Sequence, residues 1–113
     1  MIEKTVIDYL IAKGIAGGKV YAETPVNPPA SYVVVSRARG GITDQIRSYG
    51  IYTESRAKAD KVTAATLHEQ VITAMLNIRN ETELMRCKLE TEYDAAMTAS
   101  KEYRFQALWA ITE

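Results

Sequence analysis

The chain has 113 residues, with 14 Lys and Arg balanced by 14 Asp and Glu, and a single cysteine. That length suits one domain, residues 1–113, which removes roughly two-thirds of its unfolded surface from water; the balanced charge supplies no net field to draw in a polyanion or an anionic membrane. One cysteine excludes an internal disulfide, and with no charged-then-apolar leader and no apolar run near the roughly 20 residues that span a bilayer, the chain reads as a soluble cytosolic protein.

Apolar residues at Ile2, Val6, Ile7, Leu10 and Ile11 are spaced by three and four, so Ile2 to Lys13 is expected to be an amphipathic helix, with Gly14 where a left-handed cap belongs. Ile15 to Lys19 reads as a flexible connection and Val20 to Ala22 as a short strand. Pro25, Pro28 and Pro29 then fix their own φ and withhold three donors, so Glu23 to Tyr32 is expected to run extended at an edge or surface. Tyr32 to Arg39 is rich in β-branched residues, and Gly40-Gly41 offers the positive dihedrals of a two-residue hairpin turn, with Ile42 to Thr53 as the returning strand. Tyr49 and Ile51 share one face of that strand, and Gly50 interrupts it as bulges do.

From Ala59 to Ile78 the period changes to that of a helix, with Ala64, Leu67, Val71, Met75 and Ile78 in one stripe and Asn80 as the expected terminator. Two alternating runs follow. Met85, Cys87 and Leu89 lie on one side of the first, and Tyr103, Phe105, Ala107, Trp109 and Ile111 share a face of the second, the pattern of half-buried strands in one antiparallel sheet. The long helix is the natural cover for that sheet. The resulting fold class is α+β, a mostly antiparallel sheet packed against two helices in a single domain.

The search for chemistry finds no catalytic set, metal site or cofactor site. His68 is the lone histidine, and the positions one helical turn away are Ala64, Ala65, Val71 and Ile72, none of which binds a metal; it reads as solvent-facing. Cys87 alternates with apolar neighbours and reads as a small core hydrophobe without a base. Gly14 to Val20 fails as a phosphate loop because Lys13 stands where a glycine is required and Val20 where a hydroxyl is. Asn80-Glu81-Thr82 matches a glycosylation sequon by chance, and Pro25 to Pro28 has the spacing of a polyproline-helix ligand, which a rigid surface loop explains equally well. Arg37, Arg39, Arg47 and Arg56 are the interface candidates. A turn at Gly40-Gly41 brings the first three together on neighbouring strands, either as a solvated edge that resists aggregation or as a contact for an acidic surface or phosphate.

The stretches IEKTVIDYL (Ile2 to Leu10), VYAETPVNPPASYVVV (Val20 to Val35) and KEYRFQALWAIT (Lys101 to Thr112), in this order around the long helix, resemble the tail terminator, or tail completion, proteins of long-tailed bacteriophages and prophages. The likeness covers nearly the whole chain and lies in order and spacing, since none of these pieces is a catalytic signature. It implies a structural virion protein in the tail, assembled in the bacterial host cytoplasm. Six copies would form a ring that caps the tail tube and joins the tail to the head-completion complex. The implied partners are further copies of the chain, the tail tube protein and the head-completion protein, with DNA at most passing through the lumen and no membrane. The family has no catalytic residues to carry over, and no cofactor is implied. Two other classes stay open at this level: a head-to-tail connector or other minor virion protein, and a small enzyme with a site between subunits.

Overall fold

A sheet of five strands carries the helices on one face only, and sequence alternation decides which face. The computed structural model describes residues 2–43, 46–82, 86–95 and 102–112. In chain order these form α1 (Ile2–Ala12), a 3₁₀ turn (Ile15–Gly18), β1 (Val20–Tyr21), β2 (Ser31–Thr43), β3 (Ile46–Ala57), α2 (Lys61–Leu76), the single turn α3 (Ile78–Glu81), β4 (Arg86–Ala95) and β5 (Tyr103–Thr112). Across the sheet the order is β1-β2-β3-β5-β4, with β1 parallel to β2 and every other pair antiparallel. The fold is α+β, as the alternation and helical stripes imply.

Helix α1 buries Ile2, Val6, Tyr9 and Leu10, and Gly14 follows at φ 74°, the left-handed cap that glycine adopts without steric cost. Asp60 caps α2: its carboxylate accepts a hydrogen bond from the Thr63 backbone N–H at 2.7 Å, which holds the carboxyl below its ordinary range. Ala64, Leu67, Val71 and Met75 form the buried stripe of α2. The helix ends at Asn77 rather than Asn80, where the Asn77 side-chain amide donates to the Thr73 carbonyl at 3.1 Å and a separate single turn begins at Ile78. Among the described residues no helix is long and apolar enough to cross a membrane.

The hairpin does not turn at Gly40-Gly41. Neither glycine has a positive φ; both continue the ladder, Gly40 opposite Tyr49 and Gly41 opposite Ser48, and the pairing runs on to Thr43 and Ile46. The returning strand therefore starts at Ile46 and extends to Ala57, beyond the expected end at Thr53. The bulge is also displaced from Gly50, lying on the opposite strand at Ala38, between the pairs Arg37–Ile51 and Arg39–Gly50. One inserted residue reverses the facing of everything after it, so Arg37 points to the helix side and Arg39 to the other. A second bulge at Glu90 does the same in β4, which is why the alternation of Cys87 and Leu89 lapses there although the strand continues to Ala95. Met85 lies outside the described residues.

Tyr49, Ile51, Thr53 and Ser55 of β3 and Ala107, Trp109 and Ile111 of β5 face the helices and are buried. Trp109 is fully buried between Ile51 and Leu89 in the ladder, and its indole N–H donates to Thr53 Oγ1 at 2.9 Å, so the polar end of the ring is satisfied inside the core. Trp109→Ala removes the ring and orphans the threonine hydroxyl. It is expected to lower unfolding free energy by roughly 3–5 kcal/mol in urea titration; a loss below about 1 kcal/mol would contradict this core assignment.

Candidate interaction surface

The face of the sheet opposite the helices carries a cluster of charged side chains on its own register rows. Arg56 on β3 sits directly opposite Arg104 on β5, a like-charge pair that is unfavourable by itself. Glu54, two residues before Arg56 and so on the same face, resolves the conflict: its Oε1 accepts from Arg56 Nε at 2.6 Å and from Arg104 Nη1 at 3.3 Å. The Arg56 guanidinium also reaches Tyr32 Oη at 3.1 Å and Thr24 Oγ1 at 2.8 Å, while Tyr32 donates to Glu102 Oε1 at 2.9 Å. Glu102 is only 1% exposed and Tyr32 not at all. Burial pushes the Tyr32 hydroxyl up, which keeps it the donor to Glu102. Burial alone works against the charge on Arg56, but hydrogen bonds to Tyr32 and Glu54 outweigh it and raise the guanidinium above its ordinary value.

This cluster anchors the proline segment. Thr24 belongs to that segment, and Lys58, just past the end of β3, adds two more ties, its ammonium to the Pro28 carbonyl and its backbone N–H to the Ala30 carbonyl, each at 2.9 Å. The loop is held against the sheet at three points, with Val26 at 96% exposure between them.

The four arginines do not form one patch. Arg37 lies on the helix side, stacked over Tyr49 at 4.9 Å from the ring centroid and bonded to Glu3 of α1 at 2.6 Å. Arg39, turned to the other face by the bulge, crosses over Gly50 to reach Glu90 of β4 at 2.5 Å. A Cβ on Gly50 would sit 2.8 Å from both Cγ and Nη1 of Arg39, so the crossing requires glycine at that position. Arg47 is exposed near the end of the hairpin, opposite Ile42. Arg56, half-buried, belongs to the ionic cluster that holds the proline segment. Sequence reasoning missed Glu54, Glu102, Arg104, Tyr32 and Thr24; the same-face spacing of Glu54 and Arg56 was a legible signal, whereas the pairing with Arg104 needed the β3–β5 register.

His68 is buried, not solvent-facing. Position 68 falls one turn after Ala64 and three residues before Val71, inside the buried stripe; its ring lies 5.6 Å from that of Phe105, and Nε2 is 3.3 Å from Glu92 Oε2 on β4. Cys87 is half-buried on the helix-facing side opposite Ile111, and burial pushes its thiol up to about 11, the wrong direction for a nucleophile. Among the described residues no group of three or more His, Cys, Asp or Glu is placed to hold a metal ion. A groove of about 830 Å³ runs between the end of α1 and the polar side of α2, with Tyr9, Ile15 and Ala74 in its lining beside Lys13, Gln70 and Asn80.

No protein-family model and no curated protein matches the sequence. The fold does have a solved counterpart. A chain in a structure described as the virion of a native gene transfer agent (GTA) particle superposes with a TM-score of 0.72 at 14% identity, over 98% of this chain and 92% of that one. At that identity the likeness is one of fold, and it runs essentially end to end.

Two substitutions test this face. Arg56→Ala leaves Glu54 with Arg104 alone and removes the cation beside Glu102, and is expected to cost about 1–3 kcal/mol by denaturant titration, with Arg56→Lys recovering little because one ammonium cannot serve Glu54, Tyr32 and Thr24 together. Gly50→Ala forces the Arg39 stem aside and is expected to cost roughly 1–3 kcal/mol. The same change in an Arg39→Ala background should cost clearly less, and equal costs in both backgrounds would show that the crossing does not constrain Gly50.

Proposed function

We propose that this chain is a structural virion protein acting as a tail terminator: six copies form a ring that caps the tail tube and joins it to the head-completion complex. The observation that carries the reading is the end-to-end fold likeness to a chain of a virion particle, which agrees with the resemblance of the sequence to tail completion proteins. On this reading the protein has no catalytic role. Its work is steric and adhesive, because a closed ring seated on the last tube layer prevents further tube subunits from adding and offers a new surface to the head side. Repetition around an axis multiplies weak contacts into a stable collar. The half-buried ionic cluster and the tethered proline loop suit such a part, since a loop fixed before contact has less ordering entropy to lose on assembly. Arg39 and Arg47, both exposed, remain the candidates for contact with acidic neighbours, while Arg37 and Arg56 serve by holding α1 and the proline loop.

Removal of the gene from its phage or prophage should give full heads beside tails that are unjoined and overlong in electron micrographs. Normal, joined tails would overturn the proposal. Unjoined tails of normal length would assign the protein to a head-to-tail connector instead.

A further inference from the structure

We infer that the two open edges of the sheet join one copy to the next: β2 of one subunit adds antiparallel to β4 of its neighbour, so that one sheet runs on through the ring. This inference rests on the ring reading above and names the contact that would build it.

The sheet order leaves two strands with an open side. β4 stands at one end, and no described strand pairs with its outer edge from Arg86 to Ala95. At the other end β1 covers only Val33 and Val34 of β2, so from Ser36 to Thr43 the outer edge of β2 meets no strand among the described residues. Each open stretch presents a row of backbone N–H and C=O groups that a further strand can satisfy. Gly40 and Gly41 lie inside the β2 stretch, both exposed, and glycine within a strand often marks a place where another backbone comes close.

Direction permits the junction. β2, β3, β5 and β4 alternate in direction, so β2 and β4 run opposite ways, and a neighbour's β2 placed beside β4 continues the antiparallel ladder.

Charge selects it. The open stretch of β2 carries Arg37 and Arg39 and no acidic residue, whereas the second half of β4 carries Glu90, Glu92 and Asp94. Side chains opposite one another across a junction share a face. Arg37 is on the helix side, as are Glu92 opposite Ala107 and Asp94 opposite Phe105, so Arg37 can meet either carboxylate while Arg39 falls on the far side beside Thr91 or Tyr93. Within their own chain Arg37 pairs with Glu3, Arg39 with Glu90, Glu92 with His68 and Asp94 with Lys61, yet each of Arg37, Arg39, Glu92 and Asp94 keeps between 43% and 53% of its side chain in solvent and can take a second partner. Like edges fit worse. Two β2 edges would set arginine against arginine, and in a pair of β4 edges the bulge at Glu90 leaves Arg86 and Lys88 on the far side and Glu92 and Asp94 on the helix side, where they do not face one another. A contact between unlike edges is heterologous and generates a ring when the rotation closes.

The test reverses charge on one edge at a time in the full chain. Arg37→Glu with Arg39→Glu makes both edges acidic, and Glu92→Arg with Asp94→Arg makes both basic. Each variant alone should self-associate at least tenfold more weakly than the parent by sedimentation. Mixed in equal amounts they should regain oligomers of parental mass, because every junction between unlike variants again sets arginine against carboxylate; that rescue also shows that both are folded. Parental self-association by each variant alone, or a mixture of two variants with parental melting temperature that stays apart, would overturn the edge contact and leave the ring reading standing. Should either variant melt more than about 5 °C below the parent, the decision passes to Gly41→Cys combined with Thr91→Cys, two exposed far-side positions. Three strand spacings, about 14 Å, separate these strands within one chain, too far for an internal disulfide. Mild oxidation should then give a ladder of linked oligomers on a non-reducing gel, and parental oligomers without a ladder would overturn the edge contact. A parent chain that stays monomeric at every concentration would overturn both readings.

Discussion

Burial of one face of β3 and β5 beneath the two helices fixes where every other side chain of the sheet can go. Strand side chains alternate strictly, so once Ile51, Thr53, Trp109 and Ile111 are committed to the core, Glu54, Arg56 and Arg104 must stand on the far side. The indole-to-hydroxyl bond between Trp109 and Thr53 locks the two central strands in that register. A slip of one residue would carry the charges into the core and the tryptophan out of it, which is why the register is so strongly specified.

The far face follows from this constraint. Two arginines meet across neighbouring strands, and a glutamate between them turns a repulsive row into a bonded one. Taking these groups out of water is expensive, and well-packed apolar residues would stabilise a sheet at least as well. What the ionic cluster adds is direction: guanidinium and hydroxyl bonds have defined geometry, and through Thr24 they set the path of the proline loop. The two bulges act in the same spirit. At Ala38 the inserted residue turns Arg39 away from the helices, and at Glu90 another marks the point on the edge strand that Arg39 reaches. The edge itself carries Arg86, Lys88, Glu90, Glu92 and Asp94, and charges of this density discourage unregulated strand addition.

One face of the sheet is closed by helices, the other is stiffened by charge, and the loop between β1 and β2 is tethered while its valine stays in solvent. The two residues most able to do chemistry are both packed against the sheet face that the helices cover. His68 lies on the sheet-facing side of α2 against Phe105, and the Cys87 thiol is held protonated by burial.

Local periodicity was enough to determine both helices, the left-handed glycine after α1, the core face of β5 and the α+β class, because each depends on residues within a few positions of one another. The position of the hairpin turn was not, since Gly40-Gly41 is as compatible with a ladder as with a turn and only the pairing with Tyr49 and Ser48 decides. His68 was misplaced because its helical position marked it for burial while its polarity argued for solvent, and the ring of Phe105 settled the matter from 37 positions away along the chain. The ionic cluster was hidden for the same reason. Thr24, Tyr32, Glu54, Arg56, Glu102 and Arg104 come from three separate parts of the sequence, and their meeting is a consequence of strand order and register, quantities that long-range pairing creates and that no local pattern encodes.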